Sequence, residues 1–425
     1  MGSTLRANDA SAPFKVLVVG GSYGGLAAAF NLSDLCLGGA ARAAAGYEGQ
    51  DGLPKENTPI HAEITLVDER DGFYHVIGSP LVFADKPYAE KAWVPYSEVP
   101  ALKESPNIKT VHGSVTSVDM ASKTAVIQET APAGGATRTV SFDFIIVAAG
   151  LRRAFPVIPQ SGDKAAYLAE VGPHIEAVTT AQDGVLVVGG GAVGIEMAAE
   201  LKLAQPNIKV TLAHSRSRLL SSEPLPDELA EKTLEILREN GVEVLLEHRL
   251  QDTRDIEGTN AKEVTFTNGH TLRVNAVVVA ISNNTPSTSF LPAEALNDEG
   301  YIKIQPNLFF PTNVPNYDSA LAGGDIVQWS GIKRCGRAMH QGYLSAHNCH
   351  QRMQELTFGT PAKYQILKEV IPMIAIALGP NALAFATGGE LQYGKDIAER
   401  FFNDDVGFNI CWKILGMGSK AETKI

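Results

Sequence analysis

The residues with the clearest chemical meaning in this chain are two sets of closely spaced glycines. The two sets are Gly189, Gly191 and Gly194, and Gly20, Ser22 and Gly25, where a serine takes the middle position. Glycines in a G-x-G-x-x-G pattern let backbone N–H groups at a helix N-terminus approach a pyrophosphate, which a Cβ would keep away. In the first set, we expect the loop either to retreat slightly or to use the serine hydroxyl on a phosphate. Each set therefore predicts a site for a dinucleotide.

An internal duplication surrounds these glycines. Residues 16–32 and 185–201 agree at 9 of 17 positions when they are aligned at an offset of 169. Each copy reads as a β-branched strand, a glycine turn and an Ala-rich helix. Two further pairs of apolar segments match later in the copies, namely 63–69 with 209–215 and 142–150 with 274–282. The repeat predicts an α/β fold with two Rossmann-like domains, whose parallel sheets are covered by helices on both faces.

Other patterns suggest how the rest of the chain is divided. A period of two after residue 105 predicts a small antiparallel meander at about 110–142, with its turn at Ala133–Ala136. Two strands around the turn at Gly379 and Pro380, followed by helices, predict a C-terminal α+β segment. The resulting boundaries are 14–155 and 291–358 for the two parts of the first nucleotide domain, 156–290 for the second and 359–425 for the C-terminal domain.

The ends of the second strands distinguish the two copies. The first ends at Asp68, whose carboxylate can bind ribose hydroxyls, and an insertion at 38–60 explains its long distance from the glycines. The second has His214 in that place, followed by Arg216 and Arg218. These arginines can receive a 2′-phosphate, which favours NADPH or use of both nicotinamide cofactors. Surface arginines without such a role are the alternative.

A third feature follows both nucleotide domains. The segment DSALAGGDIVQW ends a short apolar run at Gly324 and Asp325. An acid at the end of a strand and before a helix can bind the ribityl hydroxyls of a flavin. The order of the three features is the one that a flavoprotein with two dinucleotides requires.

Composition limits the other classes of function. The 425 residues have a net charge of −11, which argues against a nucleic-acid partner. Four cysteines lie at least 14 positions apart, so neither a C-x-x-C redox motif nor a zinc ribbon is expected, and so few cysteines fit a reducing compartment. We find no secretory signal and no apolar run long enough for an integral membrane segment. The expectation is a cytoplasmic protein.

With these residues identified, the whole chain resembles the pyridine-nucleotide-dependent flavoprotein reductases with tandem Rossmann domains. The first turn, Asp68 and Gly324-Asp325 look like the FAD sites of that family, and FIIVAAG looks like its linking segment. The resemblance implies the following FAD residues: Gly20, Gly21, Ser22, Gly24, Gly25, Asp68, Val115, Ala149, Gly150 and Asp325. The NAD(P)H residues expected at the second copy are Gly189, Gly191, Gly194, His214 and Arg216.

The likeness is greater to the branch without a redox-active disulfide, which includes the apoptosis-inducing-factor-like and ferroptosis-suppressor-like proteins. It covers residues 14–415 and includes LVDERDGFYHVIGSPL, GGGAVGIE, VTLAHSRSRLL and Trp412-Lys413. A first-helix dithiol is missing, since only Cys36 lies nearby. This branch passes electrons from NAD(P)H through FAD to quinones and related small acceptors.

Three side chains are candidates for catalysis. Glu196 matches a family glutamate near the nicotinamide, with an acid at a helix N-terminus as the alternative. His75 can donate a proton to a reduced quinone, or it can be a structural histidine. Lys413 can stabilise an anionic reduced flavin if the C-terminal helix folds over the ring, or it can be a solvated lysine. His340, His347 and His350 do not have a metal-ligand pattern, so no metal is expected.

Three functions remain open at this stage. The first is an FAD-dependent NAD(P)H oxidoreductase with a quinone-like or other small organic acceptor. The second is a biosynthetic flavoenzyme that oxidises or hydroxylates a metabolite with oxygen. The third is an NAD(P)H-sensing interaction protein. Apolar C-terminal residues such as Phe401 and Trp412 are typical of a core or of a homodimer interface, and they can also line the mouth of an acceptor pocket.

Overall fold

The computed structural model contains two main sheets, one mixed and one entirely parallel, each covered by helices. The structure describes residues 12–42, 57–130, 135–281, 284–385, 388 and 390–419. Part of the predicted insertion (43–56) and the first two residues of the predicted meander turn (133–134) lie outside the described residues.

The helices and strands follow one another in the order that the repeat predicts. Up to residue 152 they are β1 (Phe14–Val19), α1 (Tyr23–Cys36), β2 (Ala62–Asp68), β3 (Gly72–Tyr74), α2 (Ser79–Val82), α3 (Lys86–Lys91), β4 (Trp93–Pro95), α4 (Pro100–Lys103), β5 (Ile108–Asp119), β6 (Thr124–Glu129), β7 (Thr137–Ser141), β8 (Phe144–Val147) and β9 (Leu151–Arg152). The second copy contains α5 (Lys164–Thr179), β10 (Val185–Val188), α6 (Ala192–Ala204), β11 (Val210–Ala213), α7 (Asp227–Glu239), β12 (Glu243–Leu245), β13 (Leu250–Asp255), β14 (Lys262–Phe266), β15 (Thr271–Val274), β16 (Ala276–Val279) and β17 (Thr285–Pro286). The remainder contains β18 (Ala320–Ala322), α8 (Cys335–Phe358), β19 (Ile374–Leu378), β20 (Asn381–Phe385), β21 (Leu391–Gly394), α9 (Lys395–Phe401) and α10 (Phe408–Leu415).

The first sheet has seven strands in the order β18-β8-β1-β2-β5-β6-β7. Its interior strand β1 pairs in parallel with β2 and β8, and its valines, which point to both faces of the sheet, are buried. Strand β5 pairs in parallel with β2 through its first half and antiparallel with β6 through its second half. The predicted meander is therefore continuous with the parallel sheet, because one long strand belongs to both.

The second sheet is parallel and has the order β12-β11-β10-β16. It is accompanied by a separate antiparallel sheet of β13, β14 and β15, which was not predicted from the sequence. Its strands carry many exposed polar residues, so they gave a weaker periodic signal than the parallel strands. The predicted α/β class with two Rossmann-like units is confirmed.

Helices α1 and α8 pack with little space between them. A Cβ added to Gly342 of α8 would lie 2.1 Å from the carbonyl oxygen of Gly24 in α1. Small residues on both helices, such as Ala28 and Ala346, are fully buried. This close approach fixes the N-terminus of α1 beside the segment that precedes α8.

The C-terminal segment combines a three-stranded sheet with two helices. Strands β19 and β20 are antiparallel and flank the turn at Gly379 and Pro380, as the sequence predicts. Helix α10 buries Phe408, Cys411 and Leu415 in the core that also holds α1. None of the helices in the described part of the chain has both the length and the apolar character needed to cross a bilayer.

Candidate dinucleotide sites

The first glycine turn connects β1 to α1 through contacts that only glycine permits. Gly20 has φ of +101°, and its N–H donates to Val67 O at 2.8 Å. A Cβ on Gly20 would lie 2.5 Å from Ala148 O, and one on Gly25 would lie 1.6 Å from Gly20 O. Helix α1 therefore starts directly against the sheet, with its first N–H groups at the loop.

The second turn, between β10 and α6, repeats these contacts. Gly189 has φ of +126°, and its N–H donates to Ala213 O at 2.9 Å. A Cβ on Gly189 would lie 2.9 Å from Ala280 O, and one on Gly194 would lie 1.9 Å from Gly189 O. The two turns thus have equivalent backbone conformations and contacts.

The middle positions of the two turns provide the test of whether phosphates fit. The Ser22 hydroxyl is shielded from solvent and finds no hydrogen-bond partner among the described residues. A Cβ on Gly191 would meet no atom within 4 Å, so the space in front of this turn is open. A phosphate oxygen is a suitable partner for the serine hydroxyl, and a pyrophosphate suits the open space. Both turns therefore fit the phosphates of a dinucleotide.

The residues at the ends of the second strands contact the glycine loops directly. Asp68 Oδ2 accepts the N–H of Gly21 at 2.5 Å, and its Oδ1 accepts the N–H of Arg70 at 2.7 Å. Burial raises the pKa of Asp68, although Arg70 and both N–H donors oppose that shift. The predicted acid therefore lies at the first loop.

His214 takes the corresponding place at the second loop. Its Nδ1 accepts the N–H of Gly190 at 3.1 Å, and its Nε2 lies 3.0 Å from Ser221 Oγ. Burial lowers the pKa of His214, and the nearby Arg216 adds to this effect, so the ring is neutral near pH 7. Arg216 is exposed, whereas Arg218 is held in an ion pair by Asp227.

Asp325 lies after β18, close to the approach to α8. The preceding Gly324 has φ of +85°, and its N–H donates to Gln341 Oε1 at 2.6 Å. Asp325 Oδ2 lies 3.3 Å from Arg153 Nη2, and Lys333 Nζ donates to Asp325 O at 2.5 Å. Neither basic residue was predicted from the sequence. Arg153 lies three residues after the linking segment, which ends at Gly150, and this nearness is the signal that could have pointed to it.

The other predicted FAD residues lie at different depths. Ala149 and Gly150 follow β8, where Ala148 N–H donates to Val19 O at 2.8 Å, so this segment passes beside the first turn. Gly150 has φ of +69° and open space beside it. Val115 lies on β5, beyond the part that pairs with Asp68, and its side chain is buried in the core. The structure thus brings the linking segment to the loop, while the Val115 side chain belongs to the core.

Two glutamates on α6 contact the edge of β19. Glu196 Oε1 accepts the N–H of Ala377 at 3.0 Å, and Glu200 Oε1 accepts the N–H of Gly379 at 3.1 Å. Burial raises the pKa of Glu196 to about 8 and that of Glu200 to about 7. The candidate Glu196 is therefore also a docking residue for the C-terminal sheet, which the motif alone did not indicate.

His75 is fully buried and has a partner on each ring nitrogen. Nδ1 lies 3.1 Å from the hydroxyl of Tyr23, the first residue of α1, and Nε2 lies 3.0 Å from Val406 O. Burial lowers its pKa to about 4, so the ring is neutral. These contacts match the structural alternative, and the proton-donor role stays a prediction.

Lys413 lies on the exposed side of α10, opposite the buried Cys411 and Leu415. This position matches the solvated alternative, and its role with a flavin stays a prediction. In the described ranges, no group of three or more His, Cys, Asp or Glu side chains is arranged to hold a metal ion.

A cavity of about 440 Å³ lies between α2, α3, α6 and the C-terminal segment. Leu81, Leu203 and Phe402 contribute apolar walls, and Tyr88 and Asp405 contribute polar ones. Its volume is within the range of about 300–1,000 Å³ that is common for small-molecule sites.

Comparisons with known proteins agree with this geometry. Residues 14–347 match the family model described as pyridine nucleotide-disulphide oxidoreductase. The chain is 44% identical over 424 residues to oxidoreductase OXR1 of Ajellomyces capsulatus, covering 98% of this chain and 90% of that protein. It is 28% identical over 319 residues to ferroptosis suppressor protein 1 of Mus musculus, covering 73% and 74%.

A solved structure supports the fold independently. The sulfide:quinone oxidoreductase of Aquifex aeolicus aligns with a TM-score of 0.63 at 16% identity, over 95% of this chain and 92% of that one. The resemblance to apoptosis-inducing-factor-like and ferroptosis-suppressor-like reductases is confirmed at the level of family. This chain belongs to the pyridine nucleotide-disulphide oxidoreductase family.

Proposed function

We propose that this chain is an FAD-dependent NAD(P)H oxidoreductase that passes two electrons to a quinone-like or other small organic acceptor. The observation that carries the proposal is the pair of glycine turns. They share their backbone contacts, but one ends at a carboxylate and the other at a neutral imidazole beside an arginine. Two dinucleotides of different kinds suit such a pair.

The first turn is the proposed site of FAD. The glycine loop and the Ser22 hydroxyl would hold the pyrophosphate, Asp68 the adenosine ribose and Asp325 the ribityl chain. When bound, a flavin supplies two-electron chemistry that needs neither a nucleophile nor a metal from the protein. Lys333 and the N-terminus of α8 place positive charge beside Asp325, which favours an anion there.

The second turn is the proposed site of NAD(P)H. The open space at Gly191 would admit the pyrophosphate, and the exposed Arg216 would receive a 2′-phosphate. Because the pKa of Glu196 is raised to about 8, its carboxyl is largely protonated at neutral pH and can donate a hydrogen bond to an amide oxygen. We therefore assign Glu196 to orienting the nicotinamide.

The cavity beside α6 is the proposed site of the acceptor. Its apolar walls suit a flat organic molecule, and the Lys91 ammonium, which also lines the cavity, can donate a hydrogen bond to an oxygen substituent. A quinone has both properties, and the C-terminal apolar residues would then shape the mouth of its pocket.

The test is anaerobic mixing of the purified, FAD-loaded protein with NADH and, separately, with NADPH. The readout is the loss of the visible flavin absorbance. We expect rapid loss with at least one cofactor, and its recovery when a short-chain benzoquinone is added. If neither cofactor reduces the flavin within minutes, the reductase proposal is wrong and a metabolite-oxidising flavoenzyme takes its place. Fast reduction with no reoxidation by any acceptor would instead favour the sensing protein.

A further inference from the structure

The cavity beside α6 has an uneven distribution of charge along its walls. Four acidic side chains line it, namely Asp85, Glu200, Asp404 and Asp405, whereas Lys91 is the one basic side chain among its described lining residues. These acids come from three places in the fold: the residue before α3, helix α6 and the connection between α9 and α10. A cleft that carries mostly one sign of charge between apolar walls attracts a ligand of the opposite sign. The lining therefore favours a cation over an anion.

Three of the four acids already have their partners. Asp85 caps α3 by accepting a backbone N–H at 2.6 Å. Glu200 accepts a backbone N–H from the turn between β19 and β20 at 3.1 Å, and burial raises its pKa to about 7, so it is only partly ionised at neutral pH. Asp404 is exposed, so water solvates its carboxylate. The acid that remains to be explained is Asp405.

Asp405 has one oxygen with partners and one without. The residue is 3% exposed, and its Oδ2 accepts from Lys91 Nζ at 2.8 Å and from the N–H of Asn409 at 3.2 Å. Its Oδ1 is shielded from solvent and has no hydrogen-bond partner in the described part of the chain. A buried carboxylate oxygen without a donor is costly, and folded proteins rarely leave one. Because Asp405 lines the cavity, a ligand bound there can supply the missing donor.

We propose that the ligand of this cavity is a small apolar ring compound with a protonated amino group, whose N–H donates to Asp405 Oδ1. The ring would lie against the apolar walls formed by Leu81, Leu203 and Phe402. A protonated amine suits the site better than a hydroxyl group, because it supplies the donor and also the positive charge that the acidic lining favours. Identification of this ligand as the electron acceptor rests on the proposed function, whereas its binding does not.

The experiment compares three probes that share one ring system and differ in charge. Naphthylmethylamine is a cation at neutral pH, naphthylmethanol is uncharged and naphthoate is an anion. Each is titrated by calorimetry into the purified, full-length, FAD-loaded protein, without a nicotinamide cofactor. We expect the amine to bind at least ~10-fold more tightly than the alcohol, and the carboxylate to bind most weakly. Equal affinities for the amine and the alcohol, tighter binding of the carboxylate, or no binding of the amine would overturn the proposal.

One variant tests the oxygen that the proposal uses. Asp405→Asn keeps an oxygen for Lys91 and Asn409 and places an NH₂ group at the position of Oδ1, where it would oppose an ammonium. We expect the Kd of the amine to rise at least ~30-fold and that of the alcohol to change by less than ~3-fold. Asp298→Asn is the matched control, because Asp298 is exposed and is not among the residues that line the cavity. Equal effects of the two substitutions on amine binding would contradict the role of Asp405.

The binding measurements also separate this proposal from the proposed function. If NADH and NADPH both fail to reduce the flavin while the amine still binds through Asp405, the reductase proposal is wrong and the ligand class of the cavity stands. If the flavin is reduced but the amine binds no better than the alcohol, the reductase proposal stands and the ligand class is wrong. The comparison of the three probes on the unmodified chain decides the matter even if Asp405→Asn folds poorly.

Discussion

At the first glycine turn the N–H of Gly21 donates to the carboxylate of Asp68, whereas at the second the N–H of Gly190 donates to the imidazole of His214. The backbone around both turns is the same, down to the carbonyl that each helix glycine approaches. Under the proposed function, the glycines would leave space for a dinucleotide in both copies. The side chain at the strand end, a carboxylate in the first copy and a neutral imidazole in the second, would then distinguish the two nucleotides.

The helices that follow the turns differ in a related way. At the positions of Glu196 and Glu200 in the second copy, the first copy has Ala27 and Asn31. The first helix packs closely on α8, which needs small buried residues, and the second uses carboxylates to dock the C-terminal sheet. After duplication, each helix thus has side chains that suit a different neighbour.

The largest effect should come from a substitution that breaks the close backbone contacts shared by the two glycine turns. Gly25→Ala places a Cβ 1.6 Å from Gly20 O, so a backbone shift is unavoidable. We expect a loss of at least ~3 kcal/mol in the free energy of unfolding, measured by thermal or urea denaturation. Gly172→Ala is the control, because a Cβ there meets open space. Equal stability of the two variants would contradict the description of the turn.

The next effect concerns the carboxylate that distinguishes the first turn. Asp68→Ala removes a charged acceptor, so we expect the Kd for FAD to rise roughly 10- to 100-fold while NADPH binding is retained. Flavin fluorescence on titration of the apoprotein provides the measurement. Glu69→Gln alters the neighbouring exposed ion pair with Arg152 and should leave the FAD affinity unchanged. A greater loss of NADPH than of FAD would reverse the assignment of the two turns.

A smaller effect is expected at the arginines of the second turn. Arg216→Ala should raise the KM for NADPH about tenfold and leave that for NADH nearly unchanged, because only NADPH carries a 2′-phosphate. Arg218→Ala is the matched control, since Asp227 already holds its guanidinium. Steady-state kinetics with both cofactors checks this. Equal changes for NADH and NADPH would show that Arg216 does not read the 2′-phosphate.

The smallest effect is the pH dependence of the docking carboxylates. The pKa of Glu200 is about 7 in the folded chain against an ordinary 4.5, so its contribution to stability is complete below pH 4.5 and is lost as the pH rises through 7. The free energy of unfolding is measured from pH 5 to 8. Over this range it should fall by about 1–2 kcal/mol less for Glu200→Gln than for the original chain. Glu231→Gln, at an exposed position, should show the same fall in stability with pH as the original chain. Parallel pH profiles of Glu200→Gln and the original chain would exclude Glu200 as the source.

The sequence predicted the parts of the fold that depend on local spacing. Glycine turns, buried β-branched strands and the strand-end residues Asp68 and His214 all have short signals that can be recognised without a partner. Arg153 meets Asp325 only after the distant strands β8 and β18 have paired, and Lys333 lies close to Asp325 in sequence but belongs to no motif that would have marked it.

Sequence spacing also could not show the partners of side chains whose contacts come from distant parts of the chain. Glu196 was recognised from its motif, but its contact with Ala377 depends on how the C-terminal sheet docks. His75 has the residue type of a proton donor, and only the folded chain reveals its two internal partners.

The most direct test of the central claim, that the first turn binds FAD and the second binds NAD(P)H, is the Gly191→Val variant. Its added side chain points into open space, so the fold and the first turn should be undisturbed. With Gly172→Ala as the control, the flavin-loaded proteins would be titrated by calorimetry with NADP⁺, which has the same pyrophosphate and cannot reduce the flavin. The account predicts full retention of FAD and a rise of at least ~100-fold in the NADP⁺ Kd, because the valine occupies the space for the pyrophosphate. Loss of FAD with unchanged NADP⁺ binding would contradict it.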